Sequence, residues 1–187
     1  MFAHLHVRST FSFLSGGSSP EDLVTSAKRN NDKYLALTDV NGVYGVVRFL
    51  KLCKAEGIVG IVGAEVTLDH HPVVLLAQTK EGYACLCDLL TKVHLADRKK
   101  PGILLENIPD PQDLICLSGG RESLLRKLVS EGKIGAARSW LERLSKAFPH
   151  KLYVELANTV SYGDRAMIDA LYHLSQKMDL PVVATND

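Results

Sequence analysis

Cysteine is scarce in this chain of 187 residues, and none of it is paired by spacing. Cys53, Cys85, Cys87 and Cys116 form no CxxC couple. Cys85 and Cys87 stand two apart on an expected helix, where such positions face different ways. All four read as reduced, small apolar residues of a cytoplasmic protein. Long apolar runs are missing too, so no membrane span is expected. The N-terminus lacks a basic segment followed by a long apolar stretch, so no signal peptide is expected. Excess charge is also absent. The 22 basic and 21 acidic residues leave a net charge of +1, which gives no footing for an extended nucleic-acid or membrane surface. What is there is 46% hydrophobic and 23% charged. That is the balance of a globular chain long enough for one domain with a proper core.

The most informative stretch is the first. Residues 2–7 read as a short apolar strand carrying His4 and His6 at alternate positions. Residues i and i+2 of a strand share a face, and a His-x-His pair at a strand end is a usual way to hold a metal through imidazoles. On spacing alone, one packed histidine and one solvated histidine is the simpler reading. The strand then breaks into Ser9-Thr10-Phe11-Ser12-Phe13-Leu14-Ser15-Gly16-Gly17, too polar and glycine-rich to continue it.

Ser19-Pro20-Glu21-Asp22 marks a helix start, with serine as cap, proline at the first helical position and acids in the first turn. A strand at 34–37 ends in Thr38-Asp39-Val40-Asn41-Gly42. A helix is expected over 43–56, with Val43, Val46, Val47 and Leu50 on one face and Gly57 as its stop. A strand at 58–62 is followed by Gly63-Ala64-Glu65. Segments 66–68 and 73–77 read as a hairpin with His70 and His71 at an exposed tip. Further helices are expected over 81–95, 122–131 and 134–146, a strand containing Glu155 at 152–156, and a helix capped by Asp164. Arg98-Lys99-Lys100 reads as a solvated basic loop in preference to a phosphate contact. Ser118-Gly119-Gly120-Arg121 could cradle a phosphate, but an ordinary strand-to-helix turn explains it as well.

Short apolar strands alternating with helices call for a parallel α/β core. Polar residues collect after the strands: His6, Asp39, Glu65 and Asp187. In parallel α/β folds the strand ends converge, so these four are expected to meet. The final strand has no helix behind it, which suggests a piece of a longer protein.

Several motifs together resemble one family. They are His4-Leu5-His6-Val7-Arg8-Ser9, Ser12-Phe13-Leu14-Ser15-Gly16, Ala36-Leu37-Thr38-Asp39, Tyr44-Gly45, Val62-Gly63-Ala64-Glu65 and Val183-Ala184-Thr185-Asn186-Asp187. The chain is similar over its whole length, 1–187, to the PHP (polymerase and histidinol phosphatase) domain. Its nearest likeness is to the N-terminal domain of bacterial DNA polymerase III alpha subunits, the error-prone branch most of all. The resemblance implies a distorted seven-stranded parallel β/α barrel, TIM-barrel-like, truncated here at its C-terminus. In the family the barrel binds up to three divalent metals (zinc, manganese or magnesium) and hydrolyses phosphoesters.

The departures from the pattern matter as much. Where the resemblance implies a ligand histidine, this chain has Arg8, and Val40 follows Asp39 in place of another. Ser15 replaces a usual aspartate, and Thr159 stands where a histidine is implied. His6, Glu65 and Asp187 remain as remnant ligands. Valine offers no lone pair and arginine is a permanent cation, so no resident cofactor is expected in this fragment. Arg8 is expected to replace the metal charge by pairing with at least one of Asp39, Glu65 and Asp187. The implied role is a non-catalytic scaffold of a DNA polymerase in replication or repair synthesis. Its partners would be the remaining polymerase domains, a proofreading exonuclease subunit, and DNA through the parent polymerase. A residual metal-dependent phosphoesterase or 3′–5′ exonuclease, and a stand-alone histidinol-phosphatase-like protein, are the alternatives.

Overall fold

The computed structural model describes residues 2–97, 99–108, 110–111, 113–158 and 163–186. Thr159 and Asp187 therefore lie outside the described residues, as does Arg98 of the basic loop. Six strands form one curled half-barrel sheet in sequence order. They are β1 (Tyr34–Leu37), β2 (Val59–Leu68), β3 (His71–Ala77), β4 (Leu114–Leu117), β5 (Leu152–Ala157) and β6 (Val182–Thr185). The helices are α1 (Pro20–Arg29), α2 (Val46–Glu56), α3 (Lys80–Ala96), α4 (Leu124–Ser130), α5 (Ile134–Ala147) and α6 (Asp164–Lys177).

The sheet is mixed, which corrects the expected all-parallel barrel. β1–β2, β4–β5 and β5–β6 are parallel, but β3 runs antiparallel to both its neighbours. The cause is local. β2 and β3 are joined by Asp69 and His70 alone, at φ 46° and 68°. Two successive left-handed residues make the tight hairpin turn that matches strand twist, and so short a connection can only join antiparallel strands. His71 is thus the first residue of β3, paired with Leu68, not part of the tip.

Two further expectations shift. The break expected at Gly63 is absent, because β2 is one continuous strand. Its first half pairs with β1 and its second half with β3, so Glu65 sits inside a strand. The stretch 2–7 is not a regular strand. It meets β1 through a single bridge, His4 to Leu35. Ala36 N donates to His4 O and Thr38 N to Val7 O, each at 2.8 Å. Donors two residues apart take acceptors three apart, so one extra residue is absorbed between them, as in a bulge.

The helix ends follow the sequence closely. Ser19 and Asp22 cap α1 reciprocally, with Pro20 first in the helix, and Gly57 ends α2 in the left-handed conformation. α2 starts three residues later than expected and buries Val46, Phe49 and Cys53. Val47 is instead 64% exposed. Asp164 is not a cap but the buried first residue of α6, paired with Arg126.

The strand alternation separates two faces. Val73, Leu75, Leu114, Cys116, Leu152 and Val154 pack outward against the helices. Ala36, Val74, Leu76 and Leu117 pack on the concave side with Ile61, Tyr153 and Val183. Counting on by twos along those strands gives Glu65 from Ile61, Glu155 from Tyr153 and Thr185 from Val183. The concave face is therefore apolar at one end and polar at the strand ends.

Candidate functional site

His6 is the centre of the polar end. It is 4% exposed, with Nδ1 2.8 Å from Glu155 Oε1 and Nε2 2.9 Å from Glu65 Oε2. Two carboxylate acceptors call for a proton on each ring nitrogen, the cationic form of the ring. Arg8 approaches the same oxygen of Glu65, with Nη2 at 2.6 Å and Nε at 3.2 Å. Burial pushes the Glu65 carboxyl up, but the His6 hydrogen bond and the Arg8 guanidinium outweigh it and hold the group below its ordinary value.

Asp39 is equally buried but belongs to a different arrangement. Its Oδ1 accepts from Ser9 N at 2.7 Å and from Ser12 Oγ at 2.6 Å, and Ser9 Oγ reaches both oxygens at 2.9–3.0 Å. Ser12 Oγ in turn accepts from Val40 N. Asp39 thus folds the 9–16 loop over the strand ends. Gly16 completes that loop, since a Cβ there would lie 1.8 Å from Ser9 O.

Glu155 is the residue that sequence reasoning passed over. Its Oε1 accepts from Thr185 Oγ1 at 2.6 Å as well as facing His6, and its amide donates to Ser118 Oγ. Its Oε2 is buried without a hydrogen-bond partner. The available signal was a single acid inside the apolar run Leu152–Ala157, at the strand end where the other polar residues collect. Ser118, considered as part of a phosphate cradle, spends its hydroxyl on β5.

His4 does not join His6 on one ion. Its Nε2 lies 3.4 Å from Asp32 Oδ2 and its Nδ1 3.4 Å from Asn186 Nδ2. Both histidines and Arg8 line a cleft of about 310 Å³ under the Ser15–Ser18 backbone. The hairpin histidines do not line it. Asp69 is tied to Leu105 N and Arg143, and His71 is held below its ordinary value by burial, then by Lys127 and His70. Of the cysteines, Cys53 and Cys116 are buried and none of the four forms a disulfide among the described residues. Burial pushes the Cys53 thiol up to about 11, which leaves it inert.

A curled β/α half-barrel with His6, Arg8, Glu65 and Glu155 converging at its strand ends places this chain in a defined class. The sequence pattern of the PHP domain matches residues 4–159, and the chain belongs to that family. More particularly, it is 36% identical to an error-prone DNA polymerase of Symbiobacterium thermophilum, over all of this chain and 19% of that one. It is 32% identical to the DNA polymerase III subunit alpha of Buchnera aphidicola from Acyrthosiphon pisum, over all of this chain and 17% of that one. The chain spans under a fifth of the length of these curated relatives. Two solved structures share the fold. One is a protein of Bifidobacterium adolescentis assigned as a metal-dependent phosphoesterase, at TM-score 0.58 and 12% identity, covering 96% of this chain and 85% of that one. The other is an amidohydrolase from Chromobacterium violaceum, at TM-score 0.55 and 17% identity, covering 99% and 86%.

The family context raises the question of divalent metal. Among the described residues, no group of three or more His, Cys, Asp or Glu is placed to hold an ion. Both nitrogens of His6 face carboxylates, and one oxygen of Glu65 is shared between His6 and a guanidinium. A fixed cation beside that oxygen opposes a second cation. As arranged, these residues do not fit a two- or three-ion cluster.

Proposed function

We propose that this chain is the PHP domain of a DNA polymerase III alpha-type polymerase of the error-prone kind, and that it serves the polymerase as a scaffold and docking module instead of hydrolysing phosphoesters. In this reading the metal cluster is degenerate, and an internal ion-pair network replaces its charge. The Glu65 carboxylate carries the proposal: its Oε2 receives Arg8 Nη2 at 2.6 Å and His6 Nε2 at 2.9 Å. Hydrolysis in the family's manner needs metals bridging the phosphate oxygens and a metal-bound hydroxide. A permanent guanidinium supplies positive charge but neither of these. The parent chain would be a cytoplasmic DNA-directed DNA polymerase. Its remaining domains, and a separate proofreading exonuclease subunit, would be the partners of this module.

A second reading has one observation in its favour. Glu155 Oε2 is buried and lacks a hydrogen-bond partner, which suits a single bound cation beside His6, with Asp187 as a third donor. Elemental analysis of the purified protein after dialysis separates the readings. The scaffold reading expects well under one divalent ion per chain and no degradation of single-stranded DNA with manganese, magnesium or zinc. Two or more tightly held ions, or a nuclease activity abolished by His6→Ala, would overturn it.

A further inference from the structure

The outer wall of the half-barrel carries an open trough. Each parallel crossover lays helix against the sheet: α2 between β1 and β2, α4 and α5 between β4 and β5, and α6 between β5 and β6. The two-residue turn between β2 and β3 lays down none. α2 and α3 both pack on β2, and α2 packs closely on α1, but no comparable packing joins α2 to α3. Between them the outer face of β2 at Gly60 and Val62 is only partly covered and lines the trough. The lower part of the trough has a volume of about 490 Å³, between Val47 and Leu50 of α2 and Tyr83 of α3. A second hollow of about 430 Å³ continues it upward between Tyr44 and Cys87. Both hollows follow α3, whose 17 residues extend for about 25 Å.

The charges around the trough have one sign. Lys51 and Lys54 of α2 and Lys80 of α3 are exposed and stand beside its lining residues. None of the three has a carboxylate partner among the described residues. The lysines that do pair are elsewhere, Lys28 with Glu56, Lys133 with Glu131 and Lys151 with Asp113. On α3 the acids Glu81 and Asp88 fall about 100° or more around the helix from Tyr83 and Cys87, on the solvent side.

We propose that this trough docks one amphipathic α-helix of a partner protein, with an apolar face seated on Val47, Leu50, Val62 and Tyr83 and an acidic flank against Lys51, Lys54 and Lys80. The shape is that of a crossover helix the topology omits, and the lysine rim selects the charge of what fills it. The proposal deepens the docking half of the function above and is independent of the metal half, since the trough lies on the opposite face of the sheet from His6.

The probe is a synthetic helix of about 18 residues, leucine at i, i+3, i+4 and i+7 and glutamate along the flanks. A twin carries lysine for every glutamate. Amide NMR shifts of the 187-residue protein report where each binds. The acidic helix should perturb residues 43–54 and 80–95 and bind at least about tenfold more tightly than the twin. Lys51→Glu with Lys80→Glu should reverse that preference. Val47→Asp, at an exposed position, should abolish binding with an unchanged melting temperature. Four results would overturn the proposal: equal binding of both peptides, no binding of either, shifts confined to the His6 cleft, or competition by a single-stranded oligonucleotide. Sedimentation showing a dimer that Val47→Asp dissolves would assign the trough to a second copy of this chain and would also overturn it. Any of these leaves the elemental analysis, and the scaffold reading it tests, standing.

Discussion

Two buried carboxylates stand side by side at the strand ends, Asp39 after β1 and Glu65 within β2, linked by the bond from Glu65 N to Asp39 O at 3.1 Å. Their surroundings differ in kind. Among the described residues Asp39 is met only by neutral donors, an amide and two hydroxyls from the 9–16 loop. Glu65 is met by a guanidinium and an imidazole. Neutral dipoles from an adjacent loop satisfy an acid and shape the chain at the same time. Charged partners drawn from distant segments compensate a cluster, since Glu65 and Glu155 share His6 and one cation cannot balance two buried acids. Arg8 supplies the second.

The largest effect should come from the neutral arrangement. Asp39→Ala leaves Ser9 N, Ser9 Oγ and Ser12 Oγ without their acceptor and frees the loop, at a cost of about 3–4 kcal/mol. Denaturant unfolding measures it. A loss below about 1 kcal/mol would show that something other than Asp39 holds the loop.

Arg8→Ala should cost about 2–4 kcal/mol at neutral pH, less than a fully buried pair because the Arg8 side chain is 23% exposed. This loss should depend on pH. Glu65 is held below its ordinary value of 4.5 in the folded protein, so its ion pairing stabilises the fold fully above about pH 4.5. That contribution is lost as pH falls through the folded value. The gap between wild type and variant should therefore be widest at neutral pH and narrow progressively as pH falls below about 4.5. Melting curves at pH 7 and pH 4 test it, and a pH-independent gap would mean that Arg8 acts through packing alone.

The smallest effect marks the baseline. His70→Ala with His71→Ala should change stability by less than about 0.5 kcal/mol, because neither imidazole takes part in either acid's network. A loss as large as that of Arg8→Ala would make the hairpin a third site.

Helix caps, the alternation of elements and the charge at position 8 were legible because each is local. Ser19-Pro20-Glu21-Asp22 specifies a helix start within four residues, and an arginine announces a charge whatever the fold. Glu155 was not legible as a partner of His6. A single acid in an apolar strand has no local signature of its contacts, and 149 residues separate the two. The outward turn of Val47 was missed because Val43, Val46, Val47 and Leu50 satisfy helical spacing as well as Val46, Phe49 and Cys53 do.

By itself the amino-acid sequence determined the family, several of the helix starts and stops, and the presence of a guanidinium at position 8, because these depend on residue type and short-range backbone preference. Only the tertiary structure decided that β3 runs against β4 as well as β2, that Glu65 lies within a strand, that His6 bridges Glu65 and Glu155, and that Arg8 reaches Glu65 while Asp39 is taken by serines. Those outcomes depend on which distant segments the curl of the sheet brings within about 3 Å, and on where the strands on either side of the two-residue turn find their further partners.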